Sequence, residues 1–195
     1  MPVPEDDSRP MASPRRIHYG QAVYGAEEVA AATAVLEQQP LGLMDGPAVS
    51  RFEARVAALF AKRHGLMVNS GSSANLLAVA ALRLPPGSEV ITPALNWATT
   101  VAPLVQNDLV PVFVDVEPDT FVIDTARVEK MIGPKTRALM VPDLVGNIAR
   151  WDELQAIARR RGLVTIHDSA DTIGGRYLGR GTGAFSDITT TSFYA

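Results

Sequence analysis

Two short stretches carry residue types that can do chemistry. Val68-Asn69-Ser70-Gly71-Ser72-Ser73-Ala74-Asn75 is a small-residue turn leading into a helical pattern. Gly71 permits a close backbone approach or a positive φ. Ser72 and Ser73 add hydroxyl donors, and the helix starting there offers unpaired N–H groups and the positive end of its dipole. A phosphate dianion is well served by that set. Further on, Ile166-His167-Asp168-Ser169-Ala170-Asp171 puts a carboxylate at the end of an apolar strand. Open α/β sheets hold ligands at that edge. A carboxylate there can pair with a protonated ring nitrogen. A serine cap without ligand competes with the first reading, and a turn or capping aspartate competes with the second.

Other residues join by position. Trp97, in Leu95-Asn96-Trp97-Ala98-Thr99, follows the strand pattern Val90-Ile91-Thr92. An aromatic at a strand's C-terminal edge can stack on a flat ring, and a core tryptophan is the alternative. Asp171, three residues past Asp168, can reach the same pocket or be solvated. Ser192, after the last strand pattern, can donate to the same phosphate. His18, His64 and His167 lack metal-ligand spacing. His167 precedes Asp168 on the strand, so its side chain points to the opposite face, toward packing rather than catalysis. Nucleophile elbow, Walker loop and dinucleotide fingerprint are absent from the sequence.

The elements that must position these residues alternate. Gly65–Val68, Glu89–Thr92, Pro111–Val116, Ala138–Pro142, Leu163–His167 and Ile188–Ser192 read as buried strands. Ser73–Leu82, Asn96–Gln106, Thr125–Ile132 and Trp151–Arg161 read as helices, with Thr125 and Asp152 as starters. Ahead of them lie a helix over Ala26–Gln38 and a second opened by Pro47, striped by Val49, Phe52, Val56, Leu59 and Phe60. Gly174-Gly175 and the Gly179–Gly183 segment read as a hairpin-like turn. The pattern predicts an α/β fold: a mostly parallel sheet with helices on both faces.

Bulk properties narrow the class. The chain has 195 residues, 47% apolar and 20% charged, with formal net charge −3 and no cysteine. That is ordinary globular composition, without the basic field that attracts nucleic acid and without disulfides or thiolate metal sites. Neither a signal-type stretch nor a membrane-length apolar run is present in the sequence. We expect a cytoplasmic protein with no nucleic-acid or membrane partner. Residues 1–16 are expected to form a flexible arm and 17–195 a ligand-binding large domain. Because the last strand pattern ends at Ser192–Ala195 with no closing helix, that domain is expected to be incomplete, with a C-terminal small domain absent.

In order, these motifs resemble the DegT-type sugar aminotransferases and their sister NDP-hexose 3-dehydratases, fold type I pyridoxal phosphate (PLP) enzymes. The likeness runs from about Tyr19 to Ala195. Gly46-Pro47 through Phe52-Glu53 resembles the family's helix start, and Val68–Asn75 its phosphate turn. Glu89–Pro93 with Trp97-Ala98-Thr99 and the run Pro111–Val116 resemble two further segments. Asp168 falls on the cofactor-nitrogen aspartate, and Ser192-Phe193 on the phosphate serine.

The resemblance implies a cofactor of pyridoxal 5′-phosphate or pyridoxamine 5′-phosphate (PMP), bound by Ser72, Ser73, Trp97, Asp168, Asp171 and Ser192. It implies a nucleotide-linked keto-sugar substrate and a homodimer at full length. Asp171 stands where aminotransferases of the family carry Gln. Asp171, the run NSGSSANLLA, Gly146-Asn147 and Ser192-Phe193-Tyr194 are similar to the 3-dehydratase branch. The family's catalytic lysine (aminotransferases) or histidine (3-dehydratases) is expected two positions beyond Ala195, so no catalytic residue is expected within the chain and residues 1–195 alone are expected to be inactive. A non-catalytic protein of the same fold that binds cofactor or sugar, and a generic α/β phosphate-binding domain, are the competing classes.

Overall fold

The computed structural model describes residues 22–38 and 46–194. These fall in two compact units, the first carrying helix α1 (Ala26–Gln38) and the second residues 46–194. The expected arm over 1–16, His18 and residues 39–45 lie outside the described residues. In α1 the Glu28 carboxylate reaches back to the Gly25 N–H at 2.7 Å. Glu27 and Glu28 also complement the helix dipole.

The second unit begins with α2 (Pro47–Leu59) and α3 (Gly71–Ala81). Strands and helices then alternate: β1 (Glu89–Pro93), α4 (Ala98–Gln106), β2 (Val110–Val114), α5 (Thr125–Val128), β3 (Thr136–Pro142), α6 (Trp151–Arg161) and β4 (Val164–Asp168). A small hairpin of β5 (Arg176–Tyr177) and β6 (Arg180–Gly181) precedes β7 (Ile188–Thr190). The main sheet has five strands in the order β2-β1-β3-β4-β7. Every neighbouring pair in it is parallel.

Both faces of the sheet are covered. On one face Trp151, Leu154 and Ile157 of α6 pack with Ile91, Leu139 and Val141. On the other, Ala78 and Val79 of α3 and Leu104 of α4 pack with Val90, Ala138, Met140 and Ile166. Adjacent strand residues such as Val90 and Ile91 thus serve opposite cores, as the pleat requires. In β3 every residue but Arg137 is buried, which is why the strand reads as a continuous apolar run. α6 carries Asp152 and Glu153 in its first turn and Arg159, Arg160 and Arg161 in its last. Gly162 then ends it at φ 65°.

Several expected boundaries move. The caps of the short helices differ: Asp124, not Thr125, caps α5, accepting the Ala126 N–H. Asp152 lies inside α6, whose capping position is Arg150. The run expected to be helical to Ile132 is α5 plus a 3₁₀ turn over Glu129–Met131. The hairpin reading holds, with Leu178 and Gly179 both at positive φ in its two-residue turn.

Gly65–Val68 is not a strand. A segment becomes a strand only by pairing, and this one pairs with no strand among the described residues; it lines, together with β7, an apolar cleft of about 720 Å³. Phe52 and Leu59 of the α2 stripe remain exposed, at 36% and 50%. Lys62, also on the cleft, turns its ammonium to the Ser186 carbonyl and to the Asp187 carbonyl at 3.1 Å. Burial holds that ammonium below the usual lysine range, with the Asp187 charge opposing.

Candidate active site

Of the six residues singled out from the sequence, four follow strands at the C-terminal edge of the sheet and two open α3. Trp97 follows β1, Asp168 ends β4, Asp171 follows it, Ser192 follows β7, and Ser72 and Ser73 open α3.

The helix-start end of the candidate site is built by close approach. Ser70 caps α3, its Oγ accepting the Ser73 N–H at 3.1 Å. The serine cap is therefore real, and it leaves the N–H groups of Gly71 and Ser72 without a protein partner among the described residues. A Cβ on Gly71 would lie 2.8 Å from Ser192 Cβ and 3.1 Å from its Oγ. Only glycine lets the end of β7 come this near the helix start. The Ser192 hydroxyl thus lies beside the first turn of α3.

The other end is a buried carboxylate. Asp168 is 6% exposed. Its Oδ2 accepts from Asn75 Nδ2 at 2.8 Å and from Thr100 Oγ1 at 2.7 Å. Among the described residues its Oδ1 accepts only the Ala170 N–H, at 3.2 Å. Among the described residues no Lys, Arg or His pairs with it. A buried carboxylate with neutral donors on one oxygen, spare capacity on the other and no cation suits a cationic ring nitrogen.

Trp97 is 67% exposed, so it is not a core tryptophan. It caps α4 and its carbonyl accepts the Thr100 N–H at 3.0 Å. Its backbone is thereby fixed to the turn that supplies the Thr100 hydroxyl to Asp168. Asp171 is exposed and engaged: Oδ2 accepts the Val145 N–H at 2.9 Å and Oδ1 the Tyr194 hydroxyl at 2.9 Å. Val145 sits at φ 49°, a strained position for a β-branched residue. Asp171 therefore holds a strained loop and the Tyr194 ring at the site's rim.

His167 points away from Asp168, as expected. Its ring is buried against Trp151 at 4.6 Å between centroids, and Nε2 lies 2.7 Å from Asp143 Oδ2. Asp143 also accepts from Ala149 N, Trp151 Nε1 and Thr172 Oγ1 at 2.9, 3.1 and 3.0 Å. Its own N–H donates to the Asp168 carbonyl at 3.0 Å. Asp143, Asn75, Thr100 and Thr190 were missed from sequence. For Asn75 a signal existed: one amide inside the apolar helix run Ala74-Asn75-Leu76-Leu77-Ala78.

A five-stranded parallel sheet with helices on both faces, and with the α3 turn and Asp168 at its C-terminal edge, is the large-domain fold of PLP-dependent aminotransferases. The chain belongs to the DegT/DnrJ/EryC1/StrS aminotransferase family, whose profile matches residues 23–195. It is 40% identical, across 98% of its length, to a dTDP-4-dehydro-2,6-dideoxy-D-glucose 3-dehydratase of Saccharopolyspora spinosa, covering 46% of that protein. Among solved structures it resembles a GDP-4-keto-6-deoxymannose-3-dehydratase with bound GDP-perosamine. The TM-score is 0.83 at 31% identity, over 89% of this chain and 46% of that one. NtdA of Bacillus subtilis, solved with PMP, gives 0.78 at 33% identity over 87% of this chain and 38% of that one. The chain thus spans about half or less of the length of these relatives. Among the described residues no helix is long and apolar enough to cross a membrane.

Proposed function

We propose that this chain carries the cofactor-binding half of a PLP- or PMP-dependent enzyme acting on a nucleotide-linked keto-sugar, of the 3-dehydratase type, with a sugar aminotransferase as the second reading. The observation that carries the proposal is the facing pair of features on one sheet edge: the Gly71–Ser192 cradle and the cation-free Asp168. The 3-dehydratase reading draws support from the 40% relative and from Asp171, which joins the Gly146-Asn147 loop and Tyr194. In keeping with the family, we place the protein in the cytoplasm as a homodimer at full length.

When bound, the cofactor would supply either an amine that condenses with a carbonyl group or an aldehyde that condenses with an amine, and a ring that draws off electron density. The chain's own residues do the rest. The free N–H groups of Gly71 and Ser72, with the Ser72, Ser73 and Ser192 hydroxyls, bind the phosphate. Asp168 Oδ1 holds the proton on the ring nitrogen, which keeps the ring electron-poor. Trp97 covers one ring face and screens it from water. Asp171 orients the Val145 loop and the Tyr194 hydroxyl beside the place the sugar would occupy.

Fluorescence titration with PMP tests the reading, because this form needs no lysine to bind. We expect saturable binding, weakened about tenfold or more in Asp168→Ala through loss of a charge-assisted contact. A wild-type chain that shows no saturable PMP binding overturns the proposal.

A further inference from the structure

Asn75 stands at the junction of the two ends of the site. It is 3% exposed, on the second turn of α3, the helix whose first turn forms the anion cradle. Its amide nitrogen donates to Asp168 Oδ2 at 2.8 Å and to the Thr99 carbonyl at 3.3 Å. Its amide oxygen accepts from Thr190 Oγ1 at 2.6 Å. One side chain therefore joins α3, β4, the first turn of α4 and β7. Thr100 completes the arrangement from α4, donating to the same Asp168 oxygen at 2.7 Å.

The directions of these bonds are set by chemistry. Asp168 Oδ2 accepts, so Asn75 must turn its NH₂ toward it; the amide oxygen then faces Thr190, whose hydroxyl donates. The amide cannot flip without leaving two buried oxygens facing each other. Two neutral donors on Oδ2 stabilise the carboxylate's negative charge without cancelling it. They also stop the carboxylate from rotating, which leaves Oδ1, bonded to the Ala170 N–H, as the oxygen with spare accepting capacity. A carboxylate held facing a ring nitrogen favours the protonated, cationic form of that ring by charge pairing.

We propose that Asn75, with Thr100 and Thr190, is a positioning device for the Asp168 carboxylate: it fixes which oxygen faces the cofactor ring, keeps the proton on the ring nitrogen, and ties that end of the site to the phosphate-binding helix. This rests on the cofactor reading above. None of the three side chains needs to touch the cofactor to act in this way.

The experiment compares wild type, Asn75→Leu, Thr100→Val and Thr100→Ser, each confirmed folded by circular dichroism, using PMP as probe. Affinity is read by fluorescence and the ring's protonation state by the absorbance band of the bound molecule. Wild type is expected to show the ring-protonated band. Asn75→Leu and Thr100→Val are expected to bind about tenfold more weakly, the loss of one hydrogen bond to a charged group, and to shift the band toward the ring-neutral form. Thr100→Ser keeps the hydroxyl and is expected to restore both. If Asn75→Leu fails to fold, Thr100→Val against Thr100→Ser decides. Wild-type affinity and an unshifted band in Thr100→Val or in folded Asn75→Leu overturn the proposal while leaving the cofactor reading intact. Absence of PMP binding by wild type overturns both.

Discussion

Gly71 and Ser192 meet so closely that a methyl group on the glycine would lie 2.8 Å from Ser192 Cβ and 3.5 Å from the Thr191 carbonyl oxygen. The contact joins the start of α3 to the strand end that closes the cradle. In Gly71→Ala either Ser192 or the helix start must shift, and the donor set opens. Thermal denaturation with and without PMP checks this. We expect a small loss of unliganded stability, about 1–3 kcal/mol from overpacking, and a marked loss of the ligand-induced rise in melting temperature. An undiminished rise would contradict the cradle.

Trp97 offers the opposite balance. At 67% exposure it contributes little to the fold, so Trp97→Ala should change stability by no more than about 0.5 kcal/mol. Loss of ring stacking should weaken cofactor binding by about 0.5–1.5 kcal/mol. Urea melts and PMP titration of the same variant separate the two effects. A large stability loss with unaltered binding would return Trp97 to a packing role.

Asp143 has the reverse profile. Its carboxylate is 2% exposed and gathers donors from Ala149, Trp151, His167 and Thr172. Its backbone N–H holds the Asp168 carbonyl. Removing one partner of such a buried pair strands the others. Asp143→Ala should cost about 3–5 kcal/mol in urea denaturation. A cost near zero would mean that the network relaxes freely around the loss.

Tyr177 gives the fold a signature at high pH. Burial, then the hydrogen bond to Asp152, pushes its hydroxyl up to about 12. The folded-state value lies above the unfolded one, so the unfolded chain loses this proton first. The stabilisation is complete below the unfolded tyrosine value of about 10 and is lost as pH rises toward the folded one. Denaturant midpoints measured from pH 8 to pH 12 should fall less steeply in Tyr177→Phe than in wild type. Parallel slopes would show that Tyr177 is not shifted.

The sheet was legible because buried parallel strands leave continuous apolar runs, as in Ala138–Pro142, and the start of α3 because small polar residues mark a helix cap. Asp168 could be placed because its strand ends there. Three things stayed hidden for physical reasons. Gly65–Val68 has strand composition, but pairing is a relation between segments and no run of residues contains it. The donors on Asp168 come from α3 and α4, and their convergence arises only when the crossovers close. The bonds Asp171 accepts from Val145 and Tyr194 cross between segments far apart in the chain, so its position among the site residues was readable but its partners were not.

The central claim is that one ligand bridges the Gly71–Ser192 cradle and the Asp168 carboxylate. The most direct test is a matched pair of ligands, PMP and its phosphate-free counterpart pyridoxamine, titrated into wild type, Ser192→Ala and Asp168→Asn. The account predicts that Ser192→Ala weakens only the phosphorylated ligand, while Asp168→Asn weakens both by the same factor. If Ser192→Ala leaves PMP affinity unchanged, or if Asp168→Asn leaves both affinities unchanged, the two features do not form one site.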